Sequence, residues 1–383
     1  MAVGLIAEYN PFHNGHQYQI DKIKELFPNE EIILVLSGNY TQRGEVAIIH
    51  KWKKCEIALK AGIDLVVELP FVFATQSADL FSYGAVTLLE RLKVDKLVFG
   101  SESDSLEELE TIAKCQIENE DFEKLVKIYS KFGNNYPTAI SNAIYDLTGK
   151  RIDTPNDLLG VSYIKTILKN NYPIKPFCIK RTTDYHDKAI GNISSATAIR
   201  KALKEGKDIK EAVPAYVLPY LQHLHFIEDY FELLKYKIIT DSDLSRYQTV
   251  DEGIENKLKK EILNCHSYQD LIYKIKTKRY TYNKISRMLL HILVGMKKDF
   301  ADQNKEIEYI RILGFNQKGR AYLNKVKKEM DIKVLSKFER NCSEMLDFEL
   351  YATSIYDLIN NENLTKEEYK NHLGGIENEK NEK

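Results

Sequence analysis

Five short runs dense in Val, Ile, Leu and Phe, separated by segments of helical spacing, constrain this 383-residue chain most. The runs are Val3–Glu8, Glu31–Leu36, Leu65–Leu69, Lys96–Phe99 and Ile174–Ile179. Between them, apolar residues recur at helical intervals over Gln17–Phe27, Lys51–Ala61, Ala78–Leu92 and Ser105–Cys115. Near-continuous apolar strands alternating with helices predict a parallel sheet covered on both faces, an α/β Rossmann-like architecture. Such sheets bind ligands at the carboxyl ends of their strands. The rule gathers His13–His16, Ser37-Gly38-Asn39, Glu68-Leu69-Pro70 and Gly100-Ser101-Glu102 on one rim.

The first of these exits carries the most chemistry. His13-Asn14-Gly15-His16 sits where a strand and turn hand over to a helix N-terminus. The first N–H groups of a helix lack intrahelical partners, and its dipole favours anions there. The glycine removes a side chain where a phosphate or base would approach the backbone. The pattern reads as a nucleoside triphosphate site. Histidines three apart also occur as zinc ligands or as hydrogen-bonded turn residues.

Residues 120–170 read as helical, with breaks near Gly133-Asn134-Asn135 and Thr154-Pro155-Asn156. A polar loop, Arg181–Asp187, follows the fifth strand. Asn192–Arg200 then opens a helix in which Ser194, Ser195 and Thr197 suit either N-capping or phosphate binding, with Arg200 able to add a guanidinium. Beyond about residue 205 the pattern is helical, without strand alternation. The expected organisation is a catalytic domain over 1–205, a helical domain over 206–370 and a disordered tail over 371–383.

Hydrophobic content of 43% and charged content of 29% describe an ordinary globular protein, and no stretch is apolar enough to span a bilayer. The start of the chain lacks a signal-peptide pattern, so a cytoplasmic location is expected. Five cysteines without C-x-x-C spacing suggest free thiols, and no metal site is expected. The net charge of −1 hides an asymmetry, because residues 271–340 hold 18 Lys plus Arg against 7 Asp plus Glu. Within this stretch, Tyr273–Tyr282 interleaves aromatics with Lys274, Lys276, Lys278 and Arg279, and Lys284, Arg287, Lys318 and Arg320 follow. Cations neutralise backbone phosphates and tyrosines stack on unpaired bases, so the segment suits RNA. A solvated basic face with tyrosines packed inward has the same composition. His291 lies in an apolar run and reads as a core histidine.

H-x-G-H followed far downstream by I-S-S-x-T-x-I-R resembles the nucleotidyltransferase superfamily that shares its adenylate-forming fold with class I aminoacyl-tRNA synthetases. The blocks Ala7–His16, Ser37–Glu45, Gln76–Asp79, Phe99–Glu102, Asn192–Arg200 and Gly314–Arg320 resemble one family within it, the bacterial tRNA(Met) cytidine acetate ligases. The resemblance implies ATP-dependent activation of acetate and acetylation of the wobble cytidine of elongator tRNA(Met). It implies His13 and His16 as catalytic residues that donate hydrogen bonds to the phosphate oxygens. It further implies ATP contacts from Ala7, Glu8, Tyr9, Asn10, Pro11, Phe12, His13, Asn14, Gly15, His16, Gln17, Tyr18, Gln19 and Ile20. Gly100, Asn156, Arg181, Ser194, Ser195 and Thr197 complete that ATP set. Lys276, Lys278, Arg279, Tyr280, Lys284, Arg287, Lys318 and Arg320 are the expected tRNA contacts. Magnesium bridging the phosphates is a chemical expectation. A small-molecule adenylyltransferase and a non-catalytic RNA-binding protein that holds ATP are the alternatives.

Overall fold

The computed structural model describes residues 1–181, 195–278 and 280–370, and a seven-stranded sheet runs through its centre. The strands are β1 (Ala2–Ala7), β2 (Glu31–Ser37), β3 (Leu65–Leu69), β4 (Lys96–Ser101), β5 (Lys175–Lys180), β6 (Tyr309–Phe315) and β7 (Lys333–Leu335). Their spatial order is β5-β4-β1-β2-β3-β6-β7. The five expected strands are all present and pair in parallel. Residues of β2 and β3 are buried almost throughout, which their unbroken apolar runs required.

Helices of the first half are α1 (Asn14–Leu26), α2 (Lys51–Ala61), α3 (Phe71–Ala74), α4 (Ala78–Arg91) and α5 (Leu106–Glu118). They continue as α6 (Phe122–Lys131), α7 (Tyr136–Thr148), α8 (Pro155–Lys169) and α9 (Ala196–Lys204). Then come α10 (Phe231–Thr240), α11 (Ile254–Ile262), α12 (Tyr268–Ile275), α13 (Tyr282–Val294) and α14 (Lys298–Gln303). The last three are α15 (Gln317–Val326), α16 (Glu344–Tyr356) and α17 (Leu364–Glu367). No helix among the described residues is long and apolar enough to cross a membrane.

The expectation of no strands beyond residue 205 is corrected by β6 and β7. β6 lies antiparallel against β3, pairing Leu65 with Phe315 and Glu68 with Arg311, and β7 adds parallel to β6. The sheet therefore crosses the expected boundary between halves. Burial reinforces the joint. Lys51, from the first turn of α2, pairs with Glu68 at 2.7 Å and with Glu368 at 2.6 Å, and Arg311 donates to the Glu368 carbonyl at 2.9 Å.

Candidate active site

The parallel strands end on a common rim, and β1 and β4 neighbour each other although β1 connects onward to β2 on its other side. Chain connections leave in opposite directions here, so a crevice opens beyond these two strand ends. β1 feeds the turn Glu8–Phe12 into it. Tyr9 adopts a left-handed backbone with φ 47, uncommon for a bulky residue, and its ring packs edge-on to Phe12 and tilted against His16, each at 4.8 Å.

His13 and His16 lie at the start of α1 as a reciprocal cap. The Gly15 N–H donates to His13 Nδ1 at 3.1 Å, and the His13 N–H donates to His16 Nδ1 at 3.2 Å. The rings stack with centroids 3.7 Å apart. A ring nitrogen that accepts cannot carry the proton, so both rings hold it on Nε2, the nitrogen left to face a ligand. Burial, then the charge of Arg181, pushes the His13 pKa down to about 3. His16 falls well below its usual value through burial, then His13, then Arg181. Both are neutral donors at neutral pH.

The helix N-terminus itself is less open than expected. The Asn14 N–H donates to the Ala212 carbonyl at 3.1 Å, and the His16 and Gln17 N–H groups return to the His13 carbonyl. The first-turn donors are thus taken within the protein, which leaves the imidazole Nε2 atoms and the nearby Arg181 guanidinium as the polar groups at this turn not so engaged. Helical rotation turns some residues of the expected contact stretch away from the strand exits. Ile20 is fully buried in the core, and Gln17 is engaged by Tyr216 and Asp21.

β4 and β5 build the other wall. A Cβ on Gly100 would lie 3.2 Å from Arg181 Cγ, so the arginine stem crosses this bare backbone. Arg181 Nε is 3.6 Å from a Glu102 carboxylate oxygen. The same carboxylate accepts from the Asn156 amide at the start of α8. Gly100, Asn156 and Arg181 are therefore brought together, and Glu102 joins them. Asp157 fixes the turn beneath by accepting from the Ser101 hydroxyl at 2.5 Å and from the Ser103 N–H at 3.0 Å.

On the opposite flank, Ser195 caps α9 by accepting from the Ala198 N–H at 3.2 Å, while Thr197 is exposed. Ser194 and most of the polar loop after Arg181 lie outside the described residues. Arg200 is occupied by protein: it donates to the Asn10 carbonyl at 2.8 Å and pairs with Glu45 at 3.0 Å. Lys54, buried in α2, bridges the carbonyls of Glu8 (2.9 Å) and Ser37 (2.7 Å), pinning the exits of β1 and β2 together. Neither Lys54 nor Glu102 nor Glu45 was selected as a site residue from sequence. Glu102 was placed on the rim by the strand-exit rule and inside a family block, and Glu45 only inside a family block.

The basic segment separates into two behaviours. Lys276 and Lys278 are exposed beyond α12, and Tyr273 is 83% exposed. Lys284 rests over the Tyr280 ring at 4.5 Å, in the first turn of α13. Tyr280 itself is buried, its hydroxyl donating to the Asp251 carbonyl at 2.9 Å, so its ring offers no face for stacking. Arg287 is turned inward to the Gln42 carbonyl at 3.3 Å, and burial lowers its pKa to about 10. Arg279 lies outside the described residues. Lys318 and Arg320 are exposed, but α15 begins where β3 begins: the Asn316 N–H donates to the Asp64 carbonyl at 3.0 Å. They therefore lie at the amino-terminal end of β3, on the rim opposite the strand exits that carry the histidines.

The chain is similar to known proteins along most of its length. The model of the HIGH Nucleotidyl Transferase family matches residues 1–372. A tRNA(Met) cytidine acetate ligase of Caldicellulosiruptor saccharolyticus is 39% identical over 376 residues, covering 93% of this chain and 94% of that protein. Its namesake from Mycoplasmopsis pulmonis is 44% identical over 302 residues, covering 78% of this chain and all of that shorter protein. Among solved structures, Thermotoga maritima TmcAL bound with alpha-thio ATP superposes with a TM-score of 0.87 at 31% identity, covering 98% and 97% of the two chains.

Proposed function

This chain belongs to the tRNA(Met) cytidine acetate ligases within the HIGH nucleotidyltransferases, and from that premise we propose how its residues carry the reaction. The protein is an ATP-dependent ligase that forms the carbon–nitrogen bond of N4-acetylcytidine at the wobble position of elongator tRNA(Met). An acetate oxygen attacks the α-phosphorus, the α–β bridging bond breaks and pyrophosphate leaves. The cytidine N4 then attacks the acyl carbon of acetyl-adenylate, the C–N bond forms, AMP departs with the bonding pair of the C–O bond, and the amine proton passes to solvent. Acetate needs this activation because its own oxygen is a poor leaving group.

The observation that carries the site assignment is the paired Nδ1 acceptance of His13 and His16, which aims two Nε2–H donors from one turn. Neutral donors stabilise charge as it accumulates on the phosphate oxygens without competing for the proton. Arg181 supplies the cation, Asn156 and Glu102 line the nucleoside wall, and Gly100 gives it room. Ser195 and Thr197 edge the phosphate side. Lys276, Lys278 and Lys284 contact tRNA backbone near the acetylated base. Lys318 and Arg320, on the far rim, could touch only a distant part of the RNA. Magnesium would enter with the ATP phosphates and help neutralise their charge. Acetate as the donor and the cytoplasm as the compartment complete the reading.

The test is transfer of labelled acetate, with ATP, to unmodified tRNA, followed by nucleoside analysis. Label is expected in acetylcytidine of elongator tRNA(Met), with His16→Ala slowing the reaction by about 10²–10³-fold, the usual cost of one transition-state donor. ATP-dependent labelling that survives His16→Ala undiminished would remove the histidines from the mechanism.

A further inference from the structure

The turn Thr41–Glu45, after β2, touches the histidine turn with one side and α13 with the other. It is closed by the Gly44 N–H to Thr41 carbonyl bond at 3.0 Å and the Thr41 N–H to Glu45 carbonyl bond at 3.0 Å. On the catalytic side, the Gln42 N–H donates to Glu8 at 2.6 Å. Glu45 holds Arg200 at 3.0 Å, and Arg200 in turn donates to the Asn10 carbonyl, three residues before His13, at 2.8 Å. On the other side the turn is pressed against helix backbone. A Cβ on Gly44 would fall 2.2 Å from the Arg287 nitrogen, and Gly44 has φ +80, so neither space nor conformation admits another residue comfortably. Ser286 donates to the Gly44 carbonyl at 2.9 Å and Arg287 to the Gln42 carbonyl at 3.3 Å.

We infer that Glu45 is a positioning residue that links RNA docking on the α12–α13 corner to nucleotide binding at His13 and His16. The inference rests on the ligase reading, which makes Lys276, Lys278 and Lys284 the RNA-facing cations. The chain of contacts is short: α13 backbone, Gly44, Glu45, Arg200, Asn10. Glu45 and Arg200 are 22% and 14% exposed, so their pair is partly shielded from solvent. RNA held at the start of α13 therefore biases where the Asn10–His13 turn sits, and by thermodynamic linkage ATP biases RNA affinity equally.

The experiment measures the ATP dissociation constant of the full-length protein with and without saturating unmodified tRNA(Met). Wild type is expected to bind ATP about 5-fold or more tightly with tRNA present, the lower end of ordinary coupling between sites. In Glu45→Gln that ratio falls to about one, while the tRNA dissociation constant without ATP stays within about 2-fold of wild type. A merely structural role would weaken ATP binding equally in both conditions and preserve the ratio. Ser286→Ala, which cuts the link from the helix side, should lose the ratio as well and serves if Glu45→Gln does not fold. A wild-type ratio of one, or an unchanged ratio in both variants, overturns the inference. Acetylation of tRNA with a ratio of one refutes only the coupling, whereas absence of tRNA binding sinks the ligase reading too.

Discussion

Neutral histidines define this protein at the residue scale, both in the site and in the core. His291 is wholly buried between Thr75 and Thr249, whose hydroxyls lie 3.1 and 2.6 Å from its two nitrogens, and burial lowers its pKa to about 4. In the unfolded chain the same ring binds a proton near pH 6.5. The unfolded state therefore carries the extra proton between pH 6.5 and about 4, and stability from this ring is full above 6.5 and drains as pH falls. Between pH 7 and pH 5 the loss is ~2 kcal/mol, at ~1.4 kcal/mol per pH unit below 6.5. Urea titrations at the two pH values should show wild type losing about that much more stability than His291→Gln. Equal losses would mean that the ring is protonated in the fold. The buried carboxyls of Glu8, Glu68 and Glu349 are raised by desolvation and push the opposite way, so the variant difference isolates the histidine. The core placement of His291 was legible from the apolar run around it, and the start of α1 at His13 and His16 from their spacing before a helical pattern, but the partners of His291 come from far along the chain. Arg200 was not: a guanidinium near hydroxyls at a helix start suggests phosphate, and only tertiary structure supplies Glu45 and the Asn10 carbonyl as its partners.

At the scale of elements, the block Gly314–Arg320 is a joint. Asn316 caps α15 by accepting from the Gly319 N–H at 3.0 Å, and its amide donates to Asp64 at 2.8 Å. A Cβ on Gly319 would stand 2.0 Å from the Asp64 carbonyl oxygen. Backbone cannot yield as a side chain can, so Gly319→Ala should cost about 2–3 kcal/mol, read from the denaturation midpoint. A change below about 0.5 kcal/mol would show that the joint relaxes freely. The ATP site should keep its affinity in this variant, since α15 starts at the opposite rim. The elements best read from sequence were β1–β5, whose unbroken apolar character followed from burial on both faces. β6 escaped because Tyr309–Phe315 includes Arg311 and Gly314 and sits among helical patterns. Its strand character comes from pairing with β3, far earlier in the chain, and from the Glu368 carboxylate 3.5 Å from Arg311. Tyr280 escaped for a related reason: alternating aromatics and lysines look alike whether the ring faces solvent or the core.

For the whole molecule, sheet completion by the C-terminal half has a direct consequence. A fragment ending at residue 205 would expose the β3 edge, where Val67 and Glu68 normally pair with Ile312 and Arg311. Unpaired strand edges with apolar faces recruit other chains. The same cut takes Glu368 from Lys51, whose side chain is 1% exposed, and leaves Glu68 as its carboxylate partner. It also removes α13, against which Gly44 is pressed, and with it the support of the turn that anchors Glu8 and Arg200. Residues 1–205 made alone should therefore aggregate or bind ATP far more weakly than the full chain, by gel filtration and equilibrium dialysis. A monomeric fragment with full ATP affinity would instead establish the nucleotide half as independent. The expectation of weakness follows from where the supports originate: the histidines come from the first sixteen residues, but part of what holds their turn comes from beyond residue 205, through the Ala212 carbonyl on Asn14 and through α13 against Gly44.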